Sequence, residues 1–301
     1  MKLSVLTLGS GREAHMANLV RGLRASELQP DELVIAVMQD EEYTLPDTDF
    51  PIRQLFVGGD GLPLAKARNL AADSAKGDLF VFLDVDCIPA PSLTADYARV
   101  ADIGGVMMGE VRYLPADATA EGIDWDAFER VSVEHSERAG PPSDAIGACT
   151  DYRCFWSLNF AMMAGDWARV GGFDETYRGY GGEDTDFGRS AAEAGLDFWW
   201  VRGARTYHQY HPHHMPPVHH LDSVIANAER FCEKWGHHTM EHWLRCFKLM
   251  GLADVVDGRW RRLRDTREAD LELTRQQAHM PYASSSSVLE LLEDREAMAS
   301  A

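Results

Sequence analysis

Residues 80–89 read FVFLDVDCIP: an apolar run, then two aspartates one residue apart, then Cys87, Ile88 and Pro89. The apolar run has the pattern of a strand buried on both faces, as strands of a mainly parallel sheet are. Asp84 and Asp86 therefore stand just beyond its carboxyl end, the edge at which open α/β sheets gather their ligands. Two carboxylates there could simply begin a turn or cap the helix that Ser92 opens. A strand buried to its last residue, however, holds them in a cleft where their charge needs compensation. A divalent cation, Mn2+ or Mg2+, suits carboxylate oxygens and in turn binds phosphate oxygens.

The flanking sequence supplies the rest of the sheet. Strands are predicted at 2–8, 33–38, 52–57, 105–113 and 198–203, with helices at 13–24, 64–75, 125–138, 167–170, 184–194 and 221–235. Gly77 reads as the stop of the second helix. Strands alternating with helices at this rhythm predict an α/β fold with a mainly parallel sheet covered on both faces. The polar stretch 114–125 and the Gly/Pro/Ser loop 139–147 read as an insertion over the sheet's edge. From about residue 221 the chain reads as wholly helical, ending in a serine run and a short acidic segment that forms a loose tail, a packing helix or an oligomer contact. Two units are expected: 1–220 and a helical extension, 221–301.

Composition narrows the function. The 301 residues are 45% hydrophobic, ordinary for a packed, soluble globule. With 29 basic against 48 acidic residues the formal charge is −19, which argues against nucleic acid or a bare anionic membrane as the main ligand. Five cysteines without a CxxC pair suggest reduced thiols rather than a disulfide framework or a cysteine zinc site. No apolar run is long enough to span a membrane, and the N-terminus lacks the core of a signal peptide, so a cytoplasmic location is expected.

Other segments carry chemistry. In GGFDETYRGYGGEDTDFGRS, residues 171–190, three glycines around Tyr180 allow a tight backbone beside a ligand, and Glu183, Asp184 and Asp186 fall in the first turn of the next helix. The helix dipole alone would favour those acids. A glycine loop that also carries an aromatic face and carboxylates is what a general base for a sugar hydroxyl needs. Six histidines crowd 206–220; His208, nearest the end of the strand at 198–203, is the first choice to complete a metal site and His211 the second. The turn GSGREA, residues 9–14, partly matches a dinucleotide fingerprint and holds Arg12, but Asp40 lies beyond the ~20-residue spacing usual for ribose recognition. Lys66 and Arg68 are either solvent-facing or the focused positive charge for a diphosphate. Trp125 and Trp156 line an acceptor site or belong to the core.

Together, KARNLAADSAKGDLFVFLDVDCIP and GGFDETYRGYGGEDTDFGRS resemble family 2 nucleotide-sugar glycosyltransferases of the GT-A fold. The second segment resembles the C-terminal motif of β-1,4-galactosyltransferases and polypeptide N-acetylgalactosaminyltransferases. The resemblance spans roughly residues 2–220. It implies a Rossmann-like mixed sheet flanked by helices, with a UDP-sugar donor and a carbohydrate, peptide or small-molecule acceptor. It also implies Asp86 and His208 as ligands of Mn2+ or Mg2+, Asp84 reaching the ribose and sometimes the metal, and Asp40, Lys66 and Arg68 as donor contacts; Arg12, in the turn after the first strand, is a further donor-binding candidate. Glu183 and Tyr180 fall on the acceptor side, where Trp156 is a candidate on its own account, and Asp184 falls on the base of an inverting transfer. The galactosyltransferase-like motif leans toward galactose or N-acetylgalactosamine. Rival expectations are a retaining transferase on the same fold, a zinc-dependent hydrolase using the histidines, and a nucleotide-sugar sensor without catalysis.

Overall fold

Side-chain alternation along the strands sends successive residues into two apolar layers. The computed structural model describes residues 1–58, 61–138, 140–276, 282 and 284–300. Its first half runs β1 (Leu3–Gly9), α1 (Glu13–Arg24), β2 (Glu32–Val37), β3 (Ile52–Phe56), α2 (Leu64–Ser74), β4 (Leu79–Leu83), β5 (Cys87–Pro89), α3 (Leu93–Val100) and β6 (Val106–Tyr113). Then follow α4 (Trp125–Val131), β7 (Val133–Glu134), β8 (Ile146–Cys149), β9 (Asn159–Met163), α5 (Ala164–Val170), α6 (Glu183–Glu193) and β10 (Phe198–His208). The last stretch holds α7 (Leu221–Trp235), α8 (Glu241–Leu249), β11 (Ala253–Val256), β12 (Arg259–Arg262), α9 (Glu268–Thr274) and α10 (Ser285–Ser300).

The main sheet has the order β3-β2-β1-β4-β9-β6-β10-β5. Strands β1 to β4 pair in parallel, whereas β9 runs antiparallel to both β4 and β6, and β5 antiparallel to β10. It is the mixed sheet that the resemblance implied. Leu79, Val81 and Leu83 of β4 join a core layer with α1 and α3, and Phe80 and Phe82 join the opposite layer with α2, α5 and α6. This two-sided burial is why β4 is apolar throughout.

Three expectations are corrected. The helix predicted over 125–138 stops at Val131, because Arg112 takes hold of Ser132 through its side-chain and backbone oxygens (both 2.8 Å) and the β-branched Val133 enters the sheet as β7. Strand β10 does not end at Gly203: that residue takes φ +88° and bulges within an irregular stretch of the pairing with β6, and the strand continues to His208. The chain beyond 221 is not wholly helical, since Asp257 and Gly258, with φ of 51° and 78°, turn a β11–β12 hairpin. Asp-Gly between apolar and β-forming residues is a hairpin signal. Around it, α7 and α8 share an apolar core with Leu252 and Ala253, and α10 docks on α8 through Arg245 to Glu293 and Glu296.

Gly77 has a different role from a helix stop. Helix α2 ends at Ser74, and Gly77 passes so close to β1 that a Cβ there would lie 2.6 Å from Ser4 Oγ and 2.7 Å from the Ser4 backbone nitrogen. Its own N–H donates to Ser4 Oγ at 2.9 Å. Gly77→Ala is therefore expected to destabilise the fold by about 1–3 kcal/mol, as overpacking does, read as a lower urea midpoint at unchanged slope. An unchanged midpoint would contradict this close approach.

Candidate active site

The site starts from the sheet register. Antiparallel pairing sets His208 opposite Cys87, so the last side chain of β10 arrives beside Asp86, and Gln209 N–H fixes the turn by donating to the Asp86 carbonyl at 2.7 Å. His208 Nε2 lies 3.5 Å from Asp86 Oδ1 and His211 Nε2 3.4 Å from Oδ2. Ligand atoms of Asp86, His208 and His211 all fall within 4.8 Å of one another. Arg12 caps α1 in the left-handed region, φ 55°, and its guanidinium pairs with Asp86 while Nη2 stands 3.3 Å from His211 Nδ1. The sequence reading weighed His208 against His211; the structure brings both to the same carboxylate.

Asp86 is only 6% exposed. Burial alone would raise its pKa, but the imidazoles of His208 and His211 and the Arg12 guanidinium outweigh it and hold the carboxyl well below the usual range. Burial lowers His208 to about 4, so its ring is neutral at physiological pH and keeps a lone pair for a metal. One carboxylate and two imidazoles form a donor set that fits Mn2+ or zinc. Sequence reasoning missed the residues that hold this turn: Gln209 Oε1 accepts from Asn18 Nδ2 at 2.8 Å, and Gln209 Nε2 donates to the His15 carbonyl at 3.2 Å. Neither residue type in isolation signals such a role.

A second, anionic cluster gathers on Arg68. Arg68, 4% exposed, reaches Asp84 Oδ1 at 3.1 Å and Glu183 Oε1 at 3.4 Å, with its guanidinium over the Phe173 ring at 5.2 Å. One guanidinium thus faces Asp84, Glu183 and the adjacent Asp184. Burial, only partly offset by Arg68, raises Asp84 to about 6 and, with Asp184 beside it, Glu183 to about 7. Asp184 is also raised by burial, against bonds from Thr185 and the charge of Arg68. Asp84 thus turns to Arg68 and stays outside the Asp86–His208–His211 group.

The glycine loop that carries Glu183 and Asp184 is gripped by the C-terminal helices. Gly179, Gly181 and Gly182 have φ of 75°, 89° and 91°. A Cβ at Gly181 would meet Met240 Sδ at 2.8 Å. Asn227 Nδ2 donates to the carbonyls of Gly181 (2.8 Å) and Arg178 (3.0 Å). Tyr180 stacks on His220, ring centroids 4.9 Å apart, and on Trp243 at 6.0 Å. Asp186, 1% exposed, accepts from Lys234, Trp235 and Tyr177 and so ties α6 to α7.

The remaining expected residues spread out. Lys66 is exposed and donates to the Gly58 carbonyl at 2.7 Å, away from the aspartates. Asp40 is exposed; its neighbour Gln39 instead accepts from the Gly11 N–H at 2.6 Å. Trp156 packs edge-on against His135 (5.1 Å), which lies 5.5 Å from Tyr113, and Tyr113 stacks on His208 at 4.8 Å. Trp125 packs with Phe128 and Tyr207 in a side core. His214, His219 and His220 pack on one another.

Comparison with known proteins agrees with this architecture. The sequence family described as the N-terminal domain of galactosyltransferase matches residues 143–215, the segment that holds the glycine loop, Glu183, Asp184, His208 and His211. Validoxylamine A glucosyltransferase of Streptomyces hygroscopicus subsp. limoneus is 25% identical over 263 residues, 77% of this chain and 56% of that one. Chondroitin synthase of Escherichia coli is 27% identical over 175 residues, 50% of this chain and 26% of that one. The chain thus spans about half or less of the length of these two relatives. In structure, S. aureus TarS 1-349 superposes with a TM-score of 0.51 at 15% identity, covering 77% of this chain and 66% of that one. TarS has also been crystallised with UDP and with UDP-GlcNAc. The resemblance read from the sequence is supported: the fold is that of its GT-A neighbours, residues 143–215 carry a galactosyltransferase-like motif, and the relatives matched are glycosyltransferases.

Asn227 is 2% exposed, and removing its amide leaves the Gly181 and Arg178 carbonyls without that partner. Asn227→Ala is expected to cost about 1–3 kcal/mol and to speed amide hydrogen exchange across 178–182 more than across β1. Uniform exchange changes over the whole chain would mean that Asn227 does not act on this loop.

Proposed function

We propose that the chain transfers a hexose from a UDP-sugar to an acceptor hydroxyl, with inversion, at the Asp86 cluster and the neighbouring Arg68 cluster. The observation that carries this reading is the convergence of Asp86, His208 and His211 on one point just after β4, with Asp84, two residues from Asp86, tied through Arg68 to Glu183 on the glycine loop. A divalent ion held by Asp86, His208 and His211 would supply charge neutralisation for the departing diphosphate. Mn2+ or Mg2+ is the expected ion.

The chain's own groups do the rest. Arg12, already at Asp86, is within reach of a diphosphate seated there and can turn its guanidinium to an oxygen of it. Asp184 takes the proton of the attacking hydroxyl, with Glu183 orienting that hydroxyl and Arg68 keeping both carboxylates in place. Tyr180, held by stacking on His220 and Trp243, fixes the loop on the acceptor side. Galactose or N-acetylgalactosamine is the preferred donor sugar, supported by the matched galactosyltransferase segment. The boundary near residue 220 is read as separating the transferase core from an extension that braces its loop.

Calorimetry with a panel of UDP-hexoses, with and without Mn2+, tests the reading directly. Asp86→Ala is expected to abolish metal-dependent donor binding, and Asp184→Asn to keep binding but lose transfer by at least about 100-fold. Wild-type transfer by the Asn variant would remove Asp184 as the base, and a product of retained anomeric configuration by NMR would overturn inversion. Tight zinc binding indifferent to every UDP-sugar would favour a hydrolase instead.

The pH profile follows from the raised carboxylates. A base works ionised, so a raised pKa moves the loss of activity on acidification to higher pH. Transfer should therefore fall on acidification already above the ordinary carboxylate range, since burial raises the base Asp184 and lifts Glu183 beside it to about 7, and Glu183→Gln, which removes the neighbouring negative charge, should shift that limb downward. A limb that stays in the ordinary carboxylate range in the wild type would exclude these groups.

A further inference from the structure

An imidazole that binds a metal keeps its direction only if something fixes its ring, and the usual device is a carboxylate or carbonyl that accepts from the nitrogen left free. His208 lacks that device. Its Nε2 faces Asp86 Oδ1 at 3.5 Å, while its Nδ1 is sealed from solvent with no hydrogen-bond partner among the described residues. With Nε2 open to an ion the ring proton sits on Nδ1, where nothing accepts it, so no hydrogen bond restrains rotation of the ring. A stacked aromatic lies there instead. The Tyr113 ring stands 4.8 Å from that of His208, centroid to centroid, with the planes 29° apart, whereas His211 meets the same ring at 5.4 Å and a tilt of 42°.

Strand pairing produces this stack. Tyr113 ends β6 and His208 ends β10; the parallel register sets them side by side, and Leu114 N–H donates to the His208 carbonyl at 2.9 Å. Paired residues of neighbouring strands present their side chains on one face. Tyr113 in turn has little room to swing away. It is 7% exposed, and its ring meets His135 at 5.5 Å and Tyr282 at 5.4 Å. Tyr282 is itself fixed, stacked on His135 at 4.1 Å with its hydroxyl accepting from the Ser136 N–H at 3.2 Å. The Tyr113 hydroxyl has no hydrogen bond among the described residues, so the flat ring is what this residue contributes. Resting on the metal site of the reading above, we propose that Tyr113 is a positioning residue of that site. Its ring takes the place of a hydrogen-bond acceptor, sets the plane of the His208 imidazole and aims Nε2 at the point shared with Asp86 and His211. Without it the imidazole is free to turn, and one of three donor atoms is withdrawn.

The test titrates Mn2+ alone into the full chain and follows the EPR signal of the free ion. Tyr113→Phe keeps the ring and is expected to match the wild type. Tyr113→Met keeps apolar bulk without a flat ring, and should bind Mn2+ at least about ten-fold more weakly, the usual cost of losing the group that orients a metal-bound histidine. A tyrosine that only filled the core would let the folded Met variant bind as the wild type does. Unchanged affinity in the Met variant, or an equal loss in the Phe variant, would overturn the proposal. Should the Met variant fail to fold, a crystal structure of the wild type with Mn2+ decides: His208 is expected to stay stacked on Tyr113 while facing the ion, and a ring rotated off Tyr113 would overturn the assignment. A wild type that binds no Mn2+ removes the metal site itself, whereas wild-type binding that Tyr113→Met leaves intact removes this inference alone.

Discussion

The antiparallel pairing of a three-residue strand, β5, with the end of β10 is the constraint on which the site depends. It sets His208 opposite Cys87 and so brings an imidazole to the neighbouring Asp86. Without that register the carboxylate would sit at the end of a fully buried strand with Arg12 as its main compensation. With it, two imidazoles and a guanidinium converge on the same group. The tolerance of charge after FVFL is thus a property of strand order: β5 can lie at the sheet edge beside β10 because β9 and β6 run between β4 and β10.

The two acidic residues of that turn then live in opposite electrostatic surroundings. Asp86 is surrounded by cationic or potentially cationic groups and is held ionised, whereas Asp84 shares one buried guanidinium with Glu183 and Asp184 and is pushed toward its protonated form. In the proposed reading this separation suits the ionised Asp86 to a cation and leaves the proton step to Asp184, in the group of raised carboxylates around Arg68. Burial drives both: it forces compensation where cations are near and protonation where acids outnumber them.

Much of this was legible in the sequence because the strongest signals were local. The apolar run of β4, the helix at 13–24 and the helix at 221–235 declare themselves by period and by flanking residues, and their bounds match closely. Tertiary hydrogen bonds were not legible: Arg112 reaches twenty residues along the chain to end α4 at Ser132, and no pattern near 131 announces it. The same holds for Lys66 and Arg68. Two residues apart on one helix, they face different ways, and only packing on Phe173 turns Arg68 inward. The Asp-Gly turn at 257–258, by contrast, was available as a hairpin signal and was outweighed by the helical pattern around it.

The C-terminal extension changes what counts as the site. Met240 and Trp243 belong to a second apolar core and Asn227 is a buried polar residue of α7, yet all three meet the backbone and ring of the loop that bears Glu183 and Asp184. The three left-handed glycines let that loop approach the extension closely, and at Gly179 and Gly181 a side chain would collide with Ser223 or Met240. Asp186 closes the arrangement from below by accepting from Lys234 and Trp235 of α7. Glycine content alone would make the loop mobile, but each of these contacts removes freedom from it. The position of the carboxylates is therefore set as much by the helices beyond residue 221 as by the sheet, and a force that loosens α7 from the sheet must also move Glu183 and Asp184.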